Sequence, residues 1–282
     1  MTNSIQYAVL LSVLSAAGYA AAAVVQEQLA AGGRRSAPRW LLTLVLTGAG
    51  AGLHVIALGY GTVGVVQALG ALTLLFALPI AAVRTRSRVT PEAWRDAGLT
   101  VAGLAGILAL TAVPDEPAVL TVAEGWWLTT ITLAGVAVLA SVARSSSSPP
   151  ARSLLLAAAS GTAFGVASVM IKTQAAGLSV PALAPIALFA GGGLVLSQLS
   201  YRGGGLAAPL AMVSVANPVV ATTVGMLMLG EGFRFGVAGT VLALVAAACV
   251  TLGVIGLATR TATPARVTAP PVRDQRPQLV AA

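Results

Sequence analysis

The sequence predicts an all-α fold, a polytopic membrane helix bundle of about nine transmembrane helices. Three observations predict it: a composition too apolar for a soluble domain, nine apolar runs of spanning length, and basic charge that alternates across the gaps between them. Hydrophobic residues make up 57% of the 282 and charged residues 9%, with a mean hydropathy of +0.91. A water-soluble domain of this size cannot enclose that much apolar surface, so lipid must cover the remainder. In lipid each backbone N–H and C=O needs a partner within the protein, which leaves helix bundles and closed barrels. Barrel strands alternate over about ten residues. The runs here are continuous and rich in Ala, Leu and Val, so they read as helices.

A span needs about 20 largely apolar residues. Nine runs meet this, at 7–27, 41–60, 63–83, 97–113, 126–143, 154–171, 182–199, 206–229 and 237–258. The first lacks a preceding basic stretch and reads as a retained span, not a cleaved signal. Trp40, Trp94, Trp126 and Trp127 fall at run edges, where amphipathic rings settle at a membrane interface.

Of the 16 basic residues, 14 lie on one side if the chain crosses at each run, with only Lys172 and Arg234 on the other. This bias predicts a cell-membrane protein with the N-terminus outside and the C-terminus in the cytoplasm. The formal charge of +8 is therefore topogenic and implies no nucleic-acid partner. The expected partners are the lipid bilayer and a small-molecule or ion substrate, with a homodimer compatible.

Segment 144–152, with four serines and two prolines, reads as a flexible cytoplasmic linker. The proline- and arginine-rich tail 259–282 reads as disordered. Around the linker the chain repeats. Gln28-Leu29-Ala30-Ala31-Gly32 ends the first run much as Gln174-Ala175-Ala176-Gly177 ends the sixth, and Leu58 and Tyr60 match Leu199 and Tyr201. Residues 1–113 then form a first four-helix repeat, 114–143 a crossover helix, and 153–258 a second repeat. An offset of five spans is odd, so the two repeats have opposite orientations.

These features resemble the drug/metabolite transporter (EamA-like) superfamily. The resemblance is carried by Asn217-Pro218-Val219, by Leu229-Gly230-Glu231 closing the same run, and by Gly239, Gly253 and Gly256 in the last one. Gln67-Ala68-Leu69-Gly70-Ala71-Leu72 is a weaker copy in the first half, where Arg84-Thr85-Arg86 replaces the Gly-Glu turn. The four-plus-one-plus-four layout, with Pro114 and Glu116, is similar to the magnesium-transporter (NIPA-like) branch. The resemblance implies a permease that exports a small organic solute by a secondary, gradient-driven alternating-access mechanism. The alternatives are a carrier of magnesium or another divalent cation, and a membrane scaffold or accessory subunit that transports nothing.

Polar side chains inside spans are costly, which makes each a candidate. Gly161, Gly165, Ser168 and Lys172 share one helix face, and Ser15, Tyr19, Ala22 and Gln26 share another. Tyr19, Gln26, Ser168 and Lys172 are the expected lining of a shared cavity, although close helix packing explains the glycines equally. His54, Gln67 and Asn217 complete the candidate substrate contacts, and Pro218 beside Asn217 frees a backbone carbonyl. Glu27 is the candidate coupling-ion carboxylate, with snorkelling to the interface as the plainer alternative for it and for Lys172. One histidine, one cysteine (Cys249) and no acid well inside any run leave no metal site, disulfide or catalytic dyad in prospect. The chain has no nucleotide-binding glycine loop. The expectation is a non-enzyme without a cofactor.

Overall fold

The computed structural model describes residues 2–32, 37–58, 60, 66, 69–112, 120–173, 180–230 and 232–261. Among these residues it contains nine helices, and eight of them are long and apolar enough to cross a membrane. The chain is thus an all-helical, multi-pass membrane bundle. In order the helices are α1 (Thr2–Ala31), α2 (Ala37–Leu58), α3 (Leu72–Thr85), α4 (Pro91–Leu110), α5 (Val122–Ser145), α6 (Pro149–Thr173), α7 (Val180–Ser200), α8 (Ala207–Met228) and α9 (Gly236–Thr261). Gln67, Pro114, Glu116, Glu231 and the tail from 262 onward lie outside the described residues.

Local chemistry sets several boundaries away from the hydropathy edges. α4 begins six residues ahead of its apolar run because Thr90 caps it, its Oγ1 accepting from the Ala93 N–H at 3.3 Å, and Pro91 supplies the first turn. Trp94, Arg95 and Asp96 are therefore helical. α5 begins ahead of Trp126 through a capping box. Glu124 N donates to Thr121 Oγ1, and Thr121 N donates to the Glu124 carboxylate at 2.8 Å. The expected linker 144–152 is corrected to residues 146–148, since α5 runs to Ser145 and Pro149 and Pro150 open α6, where prolines lose no helical bond. α3 is the short helix, 14 residues or about 21 Å, with Pro79 inside it. It ends on Arg86, whose φ of 51° is the left-handed geometry usually given to glycine.

The helices pack in matching pairs. α1 lies on α2 and, less extensively, on α3; α6 lies on α7 and α8; α3 touches α4 as α8 touches α9. α5 packs on α6. The largest contact joins α4 and α9, which run antiparallel, and a two-residue ribbon continues it, pairing Thr111 with Phe233 and Ala112 with Gly232. Missing side chains let these two helices approach. A Cβ on Gly103 would meet the Ala246 carbonyl at 2.5 Å, and one on Gly253 or Gly256 would collide with Thr100 or the Asp96 carboxylate.

Two apolar cores follow from this packing. One crosses between the halves and is rich in alanine, joining Ala20 and Ala23 to Leu74, Leu104, Leu210, Val250 and Leu257. The other joins α5 to α6, α7 and α8, built from Leu128, Val166, Met170, Phe189 and Val224. The outer faces carry exposed leucine, valine and isoleucine, as a lipid-facing surface requires.

Candidate functional site

The polar face of α1 turns toward α2. Ser15 Oγ donates to the Gly50 carbonyl at 2.7 Å, and the Tyr19 ring covers Gly50, where a Cβ would lie 3.2 Å from the ring carbons. The same arrangement recurs between α6 and α7. Ser160 Oγ donates to the Gly193 carbonyl at 2.7 Å, and the Phe164 ring covers Gly193. In each pair a serine and an aromatic one helical turn later grip a bare glycine backbone on the next helix. His54 follows Gly50 by one turn of α2 and is half-buried.

The glycines expected near a cavity on α6 are taken up by packing. A Cβ on Gly161 would stand 2.6 Å from that of Ala216, and one on Gly165 2.6 Å from the Asn217 carbonyl. Here α6 meets α8 where Pro218 interrupts it. Ser168 satisfies itself, donating to the Phe164 carbonyl of its own helix at 2.9 Å. Asn217 differs: its Oδ1 is buried with no hydrogen-bond partner among the described residues.

The densest polar assembly joins α1 to α7 at the arginine-rich end. Gln26, Ser197 and Gln198 are each 5% exposed. Ser197 Oγ donates to Gln26 Oε1 at 3.3 Å, and Gln198 Nε2 donates to the Gln26 main-chain carbonyl at 2.8 Å. Gln198 Oε1 is left buried without a partner. Ser200 Oγ donates to the Ser197 carbonyl at 2.7 Å, and Ser153 of α6 donates to the Ser200 carbonyl. Glu27 is half-buried beside this junction, within electrostatic reach of Arg84 and Tyr201. Burial pushes the Tyr201 hydroxyl up to about 12, and the Glu27 charge acts in the same direction. Tyr201 is therefore neutral at physiological pH.

The structure thus seats Gln26 in the α1–α7 junction with Glu27 next to it, sets Tyr19 against α2 one turn from His54's position, and puts Asn217 of α8 against Gly165 of α6, with Ser168 bonded within α6. The side chain of Lys172 lies outside the described residues, as does Gln67. Three participants escaped sequence reasoning. Ser197 and Tyr201 belong to a run of polar residues closing α7, a signal that hydropathy treats merely as a span end. The third is Asp96, which lies just ahead of the apolar run 97–113 and, because α4 begins at Pro91, is helical. It is 1% exposed on α4, faces Gly256 of α9, and accepts from Arg95 at 2.8 Å. Among the described residues no three His, Cys, Asp or Glu side chains come together.

No family model matches the chain, and no solved structure matches it. It is 29% identical over 197 residues to an uncharacterized protein of Corynebacterium glutamicum, a match covering 64% of this chain and 66% of that protein.

Proposed function

We propose that the chain is a secondary transporter of the drug/metabolite type, made of two inverted four-helix halves, α1–α4 and α6–α9, joined by α5. It exports a small organic solute across the cell membrane by alternating access, with its arginine-rich end in the cytoplasm. The observation that carries this reading is the recurrence of one polar motif in both halves, Ser15 and Tyr19 on Gly50 and Ser160 and Phe164 on Gly193. The matching helix pairs and the antiparallel α4–α9 contact are what an in-plane two-fold relation between halves requires. Polar groups from both halves meet at Gln26, Ser197 and Gln198, where a membrane protein bears their cost for a function or for a specific contact.

Glu27 is the coupling group of this reading, a half-buried carboxylate that exchanges a proton or cation as its access alternates. The nine-helix layout favours a second reading, a divalent-cation carrier. Such ions prefer several carboxylate or carbonyl oxygens, and the described residues gather no acidic cluster.

The test is charge movement by the purified protein in liposomes on a solid-supported membrane. Amino acids, polyamines, quaternary cations and Mg²⁺ are presented with and without a pH gradient, beside Glu27→Gln. An organic-solute current that needs the pH gradient and falls at least tenfold in Glu27→Gln is expected. A Mg²⁺ current instead selects the second reading, and silence with every solute assigns the chain a structural role in the membrane.

A further inference from the structure

α1 and α2 meet along a seam that is polar over most of its length. The buried residues of α2, Thr43, Gly50 and Ala57, recur every seven positions, with Thr47 and His54 between them. Ala8, Ser12, Ser15, Tyr19, Ala22 and Gln26 form the facing stripe of α1, at alternating steps of four and three. The Ser15–Gly50 hydrogen bond and the approach of Gly18 to the Leu46 carbonyl fix the register of this antiparallel pair. Counting along both helices puts Ser12 level with His54, Tyr19 with Thr47 and Ala22 with Thr43. A polar side chain therefore stands at every level from Ser12 to Gln26, and successive levels are about 5 Å apart.

Three of these side chains are unfinished. Ser12 is 1% and Thr43 0% exposed, and the hydroxyls of Ser12, Thr43 and Thr47 are buried with no partner among the described residues. Thr129, Thr162 and Ser168 elsewhere in the bundle bond the carbonyl four residues back in their own helices. Helix packing does not ask for the hydroxyls either. In the α6–α7 pair, where Ser160 on Gly193 repeats the anchor, Ala157 stands for Ser12, Phe164 for Tyr19, Ile186 for Thr43 and Ala190 for Thr47.

We propose that the α1–α2 seam binds a file of water between its hydroxyls and is a proton path joining the end beside His54 to Glu27. A buried hydroxyl without a partner is costly, and lipid supplies none. One water, bonded at about 2.8 Å on either side, bridges a gap of about 5 Å between successive levels. Each oxygen of the file passes on one of its own protons as it receives another. A proton entering beside Ser12 and His54 is thus matched by one arriving on the Glu27 carboxylate, and the hydroxyls between are unchanged once they have turned back. At this terminus the inference rests on Glu27 as the proton-exchanging group; the hydrated seam itself stands without it.

The test compares the full chain in liposomes with Thr43→Val/Thr47→Val, which keeps the side-chain shapes and removes two hydroxyls. Hydration is read by brief X-ray generation of hydroxyl radicals from water, followed by mass spectrometry. Tyr19 is expected to be labelled despite its packing, and at least fivefold less in the double variant. Phe164, its counterpart against Gly193, is the dry control. Proton passage is read as passive conductance without solute at a clamped membrane potential. It is expected to exceed that of protein-free liposomes and to fall at least fivefold in the double variant. Tyr19 labelled no more than Phe164, or a conductance the double variant leaves unchanged, overturns the path. Thermal unfolding guards against misfolding: valines in a dry seam raise the midpoint, which overturns the inference, whereas loss of bound water leaves it level or lower. Should the double variant not fold, Ser12→Ala at the other end of the file is held to the same two readouts. Solute current is scored separately. Seam conductance without solute current removes the transporter reading and keeps the path, and solute current with Tyr19 unlabelled does the reverse.

Discussion

At the scale of single residues, the structure separates polar groups that hold helices together from those left unfinished. Ser15 and Ser160 each place their hydroxyl on a carbonyl of the neighbouring helix, so they contribute cohesion, whereas Ser168 bonds within its own helix. Gln198 Oε1 and Asn217 Oδ1 are buried acceptors with no partner among the described residues. Such an atom costs roughly 1–3 kcal/mol, which marks both as places where a ligand, water or movement completes the bonding. Asp96 belongs to the first kind. Its carboxylate rests against bare Gly256, so Gly256→Val is expected to overpack the α4–α9 contact. A loss of about 1–3 kcal/mol follows, read as a lower midpoint in thermal unfolding of the detergent-solubilised protein; an unchanged midpoint would show that α4 and α9 are not tightly joined. Tyr19, Gln26 and Glu27 were legible as candidates because polar residues stand out in an apolar run. Their partners were not, since Ser197 and Tyr201 lie more than 170 residues away along the chain and only packing brings them near.

Among elements, hydropathy located each helix and capping chemistry set its ends. α4 and α5 both begin ahead of their apolar runs, at Thr90-Pro91 and at Thr121-Val122-Ala123-Glu124. Both signals were present in the sequence, but a search for apolar length passes over polar first turns. The capping box is exposed and local, which makes it a clean test. Glu124→Ala removes the acceptor of the Thr121 N–H and is expected to fray the first turn of α5. It should increase hydrogen exchange at residues 121–125 and leave the other helix ends as they were; protection unchanged at those residues would refute the cap. The linker was misread for a related reason. Serines and prolines signal a break, yet a proline at a helix start keeps the helix intact, so two helices approach each other across three residues.

For the molecule as a whole, composition and charge made the membrane bundle legible, and short matches pointed to two related halves. The α1–α2 and α6–α7 pairs share one contact. Serine over glycine is kept in both halves while the aromatic changes from Tyr19 to Phe164, and the offset shifts from 145 to 143 between the two helices. Repeats of four-letter alanine-rich strings blur under such drift, but hydrogen-bond partners do not. The proposed transport needs the two halves to have opposite orientations. That opposition is tested most directly by single cysteines in a Cys249→Ala background, one at Ser87 just after α3 and one at Phe235 in the turn just after α8. Both sites are exposed, Phe235 at 75%. In sealed vesicles of known sidedness, a membrane-impermeant maleimide should label Ser87→Cys from the cytoplasmic side only and Phe235→Cys from the outer side only. Labelling of both from the same side would contradict the inverted halves and everything built on them.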